Sequence, residues 1–198
     1  MLDLDHYQAI IFDMDGTLLD TMPSHLEAWS KTTAHFNLPF DQAWIHSMGG
    51  MPSAKIAAVM LEAANIEGIP TEIAAFKMKT FNDNPTSADP IAHTLKVMKK
   101  YAGIKPMAIG TGSMRDTAER LLRHANLYEE FDYVVSSNDV EQHKPNPDTF
   151  LLASKLMSTE PNNCIVFEDT QLGLQAAHAG GMDCYLVTSQ GFEFHPAS

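Results

Sequence analysis

Two aspartates, Asp13 and Asp15, follow an unbroken apolar run, Ala9 to Phe12, and precede Gly16 and Thr17. Acids this close repel each other unless a cation or a shared proton intervenes. A hard divalent ion such as magnesium is the simplest remedy, because it takes oxygen ligands and bridges readily to phosphate. One carboxylate could then attack phosphorus while the other handles the proton. The same residues would also suit a strand followed by an acidic surface turn, so the pair alone decides nothing. Further groups matter more: Thr111 and Ser113 among Gly110 and Gly112, Lys144 ahead of Pro145, and Glu168-Asp169 after a second apolar run, Cys164 to Phe167.

The elements around these groups alternate. Ala9–Phe12, Met107–Ile109, Tyr133–Val135, Cys164–Phe167 and Cys184–Val187 read as short strands buried on both faces. Between them, helices are expected from Asp89-Pro90 to Tyr101, after Ser113-Met114-Arg115-Asp116 (which has the form of a capping box), after Pro147, and from Leu172 to Ala179. Strand then helix, repeated, implies an α/β fold with parallel strands and right-handed crossovers. In such a sheet every strand C-terminus opens on one edge, where ligands bind. That edge would receive Asp13, Asp15, Thr111, Ser113, Glu168 and Asp169, with Lys144 arriving on a connecting turn.

One stretch breaks the alternation. Met22, Leu26, Trp29, Thr33 and Phe36 recur at helical spacing behind Thr21, a candidate N-cap. Three more helical patterns follow, from Asp41, Pro52 and about Thr71, with no convincing strand. Residues 19–88 are therefore expected to form an inserted all-helical subdomain, with 1–18 and 89–198 as the core and Asn82 to Thr86 marking the return. The tail from Gln190 carries no clear pattern and is expected to fray.

Composition limits what the protein can bind. A formal net charge of −12 disfavours nucleic acid or an anionic membrane as the main partner, because both need a basic face. An anionic substrate must be drawn in locally, by a metal or a lysine. An apolar share of 44% supports a sizeable core. Cys164 and Cys184 lack metal-ligand spacing and read as core residues in a reducing compartment. No apolar run approaches membrane-spanning length, and the N-terminus is acidic where a signal peptide would be basic, so a cytoplasmic location is expected. No protein partner is implied.

As an ordered set at strand ends, these residues suit magnesium-assisted phosphoryl transfer. Asp13 would be the nucleophile, and Asp169 would help it hold the ion. Gly110 and Gly112 would let backbone amides and the Thr111 hydroxyl approach phosphate, while Lys144 would neutralise charge on the transferring group.

Asp13-Met14-Asp15-Gly16-Thr17, Thr111, Lys144-Pro145 and Glu168-Asp169 resemble the four motifs of the haloacid dehalogenase superfamily. Phe12 to Leu18, Val166 to Asp169, and Gly173 to Gly181 resemble its branch of β-phosphoglucomutases and sugar-phosphate phosphatases, the small bacterial fructose-1-phosphate phosphatases in particular. The resemblance implies a Rossmann-like core under a helical cap, Mg2+ as cofactor, and a small phosphorylated sugar as substrate. It implies Asp13 and Asp15 as catalytic residues, and Asp13, Asp15 and Asp169 as metal ligands. Thr111, Gly112, Lys144 and His25 would contact substrate, supported by Glu168 and Ser113. His25 matches a cap-hinge histidine that contacts the second aspartate. Mutases of this branch also carry a cap arginine for the distal phosphate. Ser53 stands there in this chain, leaving Lys55, Lys77 or Lys79 as substitutes. Hydrolysis is therefore expected over phosphohexose mutation, and over a non-catalytic sugar-phosphate-binding role, which would not require both aspartates.

Overall fold

The computed structural model describes residues 2–83 and 88–197. Its centre is β1 (Ala9–Phe12), flanked by β2 (Met107–Gly110) and β4 (Cys164–Glu168). Beyond these lie β3 (Tyr133–Val135) on one side, and β5 (Asp183–Thr188) then β6 (Gly191–His195) on the other, giving the order β3-β2-β1-β4-β5-β6. The first five strands are parallel, and β6 runs antiparallel to β5.

Side chains of β1 alternate between two cores, as the pleat demands. Ile10 and Phe12 join Met107, Ile109, Ile165 and Phe167 on one face. There they meet α5 (Ala92–Tyr101) and α6 (Arg115–His124) through Val97, Met98, Leu121 and Leu122. Ala9 and Ile11 join Ala108, Cys164 and Val166 on the other. That face is covered by α7 (Asp148–Leu156) and α8 (Gln171–Ala179) through Phe150, Ala153, Leu174 and Ala177. Both cysteines are free and buried there, as their apolar settings predicted.

Four helices intervene between β1 and β2: α1 (Met22–His35), α2 (Gln42–Ser47), α3 (Ser53–Ala64) and α4 (Pro70–Asp83). They share a core of their own, built on Trp29, Ile45, Ile56, Met60, Leu61 and Ile73. The chain leaves and re-enters the sheet side by side. Asp20 N–H donates to the Asp89 carbonyl at 2.9 Å, Ile91 N–H donates to that of Leu18 at 2.8 Å, and Leu19 bridges Pro90.

Four local expectations are corrected. The helix anticipated from Asp89-Pro90 begins at Ala92, because this segment is extended and paired with Leu18–Asp20; the residue before a proline is itself biased toward extended geometry. Thr21 precedes α1 but makes no side-chain cap, and Ser113 does not cap α6, whose N-cap is Met114. Both hydroxyls are spent on Asp15 instead. The tail from Gln190 does not fray. It forms β6, where Phe194 lies opposite Tyr185 with ring centroids 5.1 Å apart, and Phe192 packs on Phe167. Asn84 to Thr86, in the anticipated return, lie outside the described residues. No described helix is long and apolar enough to cross a membrane.

The start of α8 is fitted around the strand end beside it. Thr170 caps it by accepting from Gly173 N–H at 3.0 Å, and Glu168 lies so close that a Cβ on Gly173 would sit 1.8 Å from its carboxyl carbon. Alanine would raise helix propensity by roughly 1 kcal/mol. Gly173→Ala should nevertheless lower stability by about 2 kcal/mol or more, since a buried carboxylate must move. Urea unfolding of the two proteins checks this; equal or higher stability of the variant would contradict the packing.

Candidate active site

The parallel register carries the predicted residues to one edge. Phe12 pairs with Phe167, and Asp13 N–H donates to the Phe167 carbonyl at 2.9 Å, which sets Asp13 beside Glu168 and Asp169. Oxygens of Asp13, Glu168 and Asp169 lie within 4.8 Å of one another. Lys144 reaches between two of them, donating to Asp13 Oδ1 at 2.6 Å and Glu168 Oε1 at 2.8 Å. The other Glu168 oxygen accepts from the Thr170 backbone N–H at 2.6 Å and its hydroxyl at 2.9 Å. Asp169 Oδ1 accepts from the Thr17 hydroxyl at 3.0 Å.

Three carboxylates and one ammonium leave this group short of positive charge. Burial pushes the Asp13 carboxyl up to about 7, Lys144 pulling against that shift and Glu168 and Asp15 adding to it. Asp169 is likewise raised well above the usual carboxylate range, by burial and then by Glu168 and Asp13. Burial opposes the Lys144 charge, but Asp13 and Glu168 outweigh it and hold the ammonium above its ordinary range. Asp13 Oδ2 makes no hydrogen bond among the described residues. An open oxygen, a second acid and an unbalanced negative charge fit a divalent cation with oxygen ligands.

Asp15 has different surroundings. Its Oδ1 accepts from the Thr21 hydroxyl at 2.7 Å and lies 3.2 Å from His25 Nε2. Its Oδ2 accepts from the Ser113 hydroxyl at 2.7 Å and that of Thr111 at 3.3 Å. Although burial works against its charge, hydrogen bonds from His25, Thr21 and Ser113 keep the carboxyl well below its usual range. Predicted as a metal ligand, Asp15 thus has both side-chain oxygens engaged, and it stands apart from the acidic cluster.

Behind His25 lies a residue absent from the predicted site. Lys77 Nζ, on α4, is 2.6 Å from His25 Nδ1. The Asp15 carboxylate, held ionised, can only accept, so the ring carries its hydrogen on Nε2, and Nδ1 of the neutral imidazole accepts from Lys77. Lys77 is 2% exposed, with Nζ 5.1 Å from the Phe81 ring centroid and 5.8 Å from that of Trp29. Phe81 also stacks on His25, at 4.2 Å. Burial lowers the Lys77 amine to about 7, Asp15 opposing the shift. Burial and then the Lys77 charge lower His25. A sequence signal existed: Lys77 shares the inner face of α4 with Ile73, Ala74 and Phe81, where a lysine needs a reason.

The insertion closes over this edge. A Cβ on Gly112 would fall 2.1 Å from the Gly50 carbonyl oxygen, so the loop before α3 sits directly on the loop after β2. Between them is a cavity of about 420 Å³, reaching Asp13, Asp15, His25, Lys77, Thr111, Gly112 and Ser113. Lys144 and Glu168 lie behind its wall. Every residue expected to contact substrate is therefore on or just behind one cavity.

A parallel sheet with acids at its central strand ends, under a helical insertion, defines a class of hydrolase. The haloacid dehalogenase-like hydrolase model matches residues 10–187, and the chain belongs to that family. It is 40% identical to the fructose-1-phosphate phosphatase YqaB of Escherichia coli K12, covering 90% of this chain and 95% of that one. A phosphorylated carbohydrates phosphatase of Thermotoga maritima is 28% identical, covering 89% of this chain and 82% of that protein. The fold matches a β-phosphoglucomutase from Clostridium difficile with a TM-score of 0.80 at 24% identity, over 90% of this chain and 83% of the other.

The depressed Lys77 amine has a consequence for stability. Between about pH 7 and its ordinary value of 10.5, the unfolded chain holds a proton there that the folded chain has lost. Stability therefore gains from this residue as pH rises through that window, and its cost is largest at and below pH 7. Lys77→Met removes the titration. The difference in Tm, variant minus wild type, should move in the variant's favour as pH falls from about 10 to 7. A pH-independent difference would show that Lys77 does not carry the shift.

Proposed function

We propose that this chain is a magnesium-dependent phosphatase of small sugar phosphates that works through an aspartyl-phosphate on Asp13. The observation that carries this reading is the split between the two aspartates: Asp13 has an open oxygen in an acidic cluster, and Asp15 sits two residues away under four donors. Paired acids with divergent environments suit separate nucleophile and acid–base roles. The names of the Escherichia coli and Thermotoga maritima relatives point to the same substrate class.

In this proposal Asp13 and Asp169 hold the ion, with Glu168 beside them. When bound, Mg2+ would supply positive charge for the substrate phosphate and for the acids around it. Asp13 Oδ2 attacks phosphorus as the bond to the sugar oxygen breaks, and that oxygen takes a proton from Asp15. An arriving phosphate dianion favours the protonated acid needed for this step. Asp15 then accepts a proton from water as the water oxygen attacks phosphorus and the bond to Asp13 breaks. The donors from Thr21, His25, Thr111 and Ser113 fix the carboxylate for this second step. Lys144 holds Asp13 in place and offsets charge, and Thr111 and Gly112 line the phosphate's approach. Residues 19–88 act as the cap, shedding water as Gly50 meets Gly112, over a core of 1–18 and 89–198.

Two substitutions test the assignment. Asp13→Asn keeps volume but removes the nucleophile, and phosphate release from fructose 1-phosphate with Mg2+ should fall by about 10⁴-fold or more. Substantial turnover with matched circular dichroism would rule out Asp13 as nucleophile. Asp169→Ala should raise the Mg2+ concentration for half-maximal rate by about tenfold or more. An unchanged metal requirement would place the ion elsewhere.

A further inference from the structure

The cavity beside Asp15 is large but almost without spare charge. Its ionisable groups are Asp13, Asp15, His25 and Lys77. The two acids face the reacting phosphate, and His25 is held between Asp15 and Lys77. Lys77 is 2% exposed, and its Nζ donates to His25 Nδ1 at 2.6 Å and points at the Met78 sulfur 3.7 Å away, so it is directed at the hinge and not at the cavity's open space. Lys55 does not line the cavity, and Lys79 is paired with Asp83 at 2.6 Å. Each lysine that could have gripped a second anion is therefore elsewhere or engaged.

The rest of the wall is apolar or neutral. Four methionines, Met22, Met51, Met78 and Met114, line it together with Trp29. Thioethers adapt to irregular shapes and suit the C–H faces of a polyol, but they are weak acceptors and give an anion nothing. A second carboxylate or phosphate on the leaving group would lose its water with only the buried Lys77, already donating to His25, as a cation on the described cavity wall. Uncommitted hydroxyls remain. Ser53 reaches only the Met78 sulfur, at 3.6 Å, and Thr71 has no hydrogen bond among the described residues; both line the cavity. Few polar groups on an apolar wall fix the orientation of a neutral ligand.

We propose that this site selects phosphate monoesters whose leaving group carries no second charge, and that Ser53 and Thr71 are the residues that recognise its hydroxyls. The inference rests on the phosphatase reading and deepens it. Charge on the reacting phosphate is handled at the strand ends, and charge elsewhere on the substrate is rejected by the cap.

Matched pairs test it. With Mg2+, kcat/KM should be lower by about tenfold or more for 2-phosphoglycolate than for 2-hydroxyethyl phosphate, which differ in a carboxylate against a hydroxymethyl. The same gap should separate fructose 1,6-bisphosphate from fructose 1-phosphate, read as phosphate lost from C1. Ser53→Ala and Thr71→Val should each lower the ratio of kcat/KM for fructose 1-phosphate over ethyl phosphate by about fivefold, mainly through KM, the size expected for one lost hydrogen bond. The ratio cancels damage that slows both substrates alike. Equal turnover within both charged–neutral pairs, or an unchanged ratio in both variants, would overturn the proposal while leaving the phosphatase reading intact. Release of phosphate from none of these esters would overturn both.

Discussion

The ion pair of Lys144 with Asp13 and Glu168 sets the terms for the rest of the site. All three side chains are almost completely buried. Removing water from three charges is costly unless each finds partners, and breaking such a group by deleting one member typically costs about 3–5 kcal/mol. Partners are supplied from several elements: the register of β1 on β4 places the acids side by side, and Thr170 satisfies the far oxygen of Glu168. One ammonium cannot balance Asp13, Glu168 and Asp169 together. The same cluster that ties a connecting turn to the sheet edge is therefore left with a demand for positive charge, and structural and chemical needs meet at Asp13.

Asp15 answers a different constraint. It is close to Asp13 in sequence, yet the chain turns tightly after β1, and Gly16 N–H donates to the Leu19 carbonyl at 2.8 Å. The turn carries Asp15 among hydroxyls and His25, away from the cluster. Donors that keep it ionised come from Thr21 just ahead of α1, from His25 on α1 (itself backed by Lys77 on α4) and from the loop after β2. Core and helical insertion are thereby joined through Asp15. The cost is a buried amine in an apolar setting, tolerated because its proton is directed at a ring that faces a carboxylate.

The cavity follows from how these groups are used. Asp13, Asp15, His25 and Lys77 are each hydrogen-bonded at the cavity's edge, and the rest of its described wall is mainly sulfur, aromatic and aliphatic surface with a few hydroxyls. The backbone contact of Gly112 with Gly50 brings the insertion close enough to enclose that space.

Apolar runs and spacing by themselves determined the α/β architecture, the helical insertion, and the presence of Asp13, Asp15, Thr111, Ser113, Lys144, Glu168 and Asp169 on one sheet edge. Burial of both strand faces leaves a continuous apolar run that can be read directly, and parallel order then fixes where each run must end. Tertiary structure decided what each group does there. Thr21 and Ser113 look like helix caps in sequence, because a hydroxyl beside a helix start usually serves the nearest backbone N–H; in the fold a buried carboxylate takes them instead. The last strand was illegible because β6 is a half-exposed edge whose pairing depends on Tyr185 and Phe167, remote from any local pattern. The contact of Lys77 with His25 stayed hidden for the same reason. The lysine's position on an apolar helix face shows in the sequence, but its partner lies 52 residues away, and only packing of α4 against α1 brings the two together.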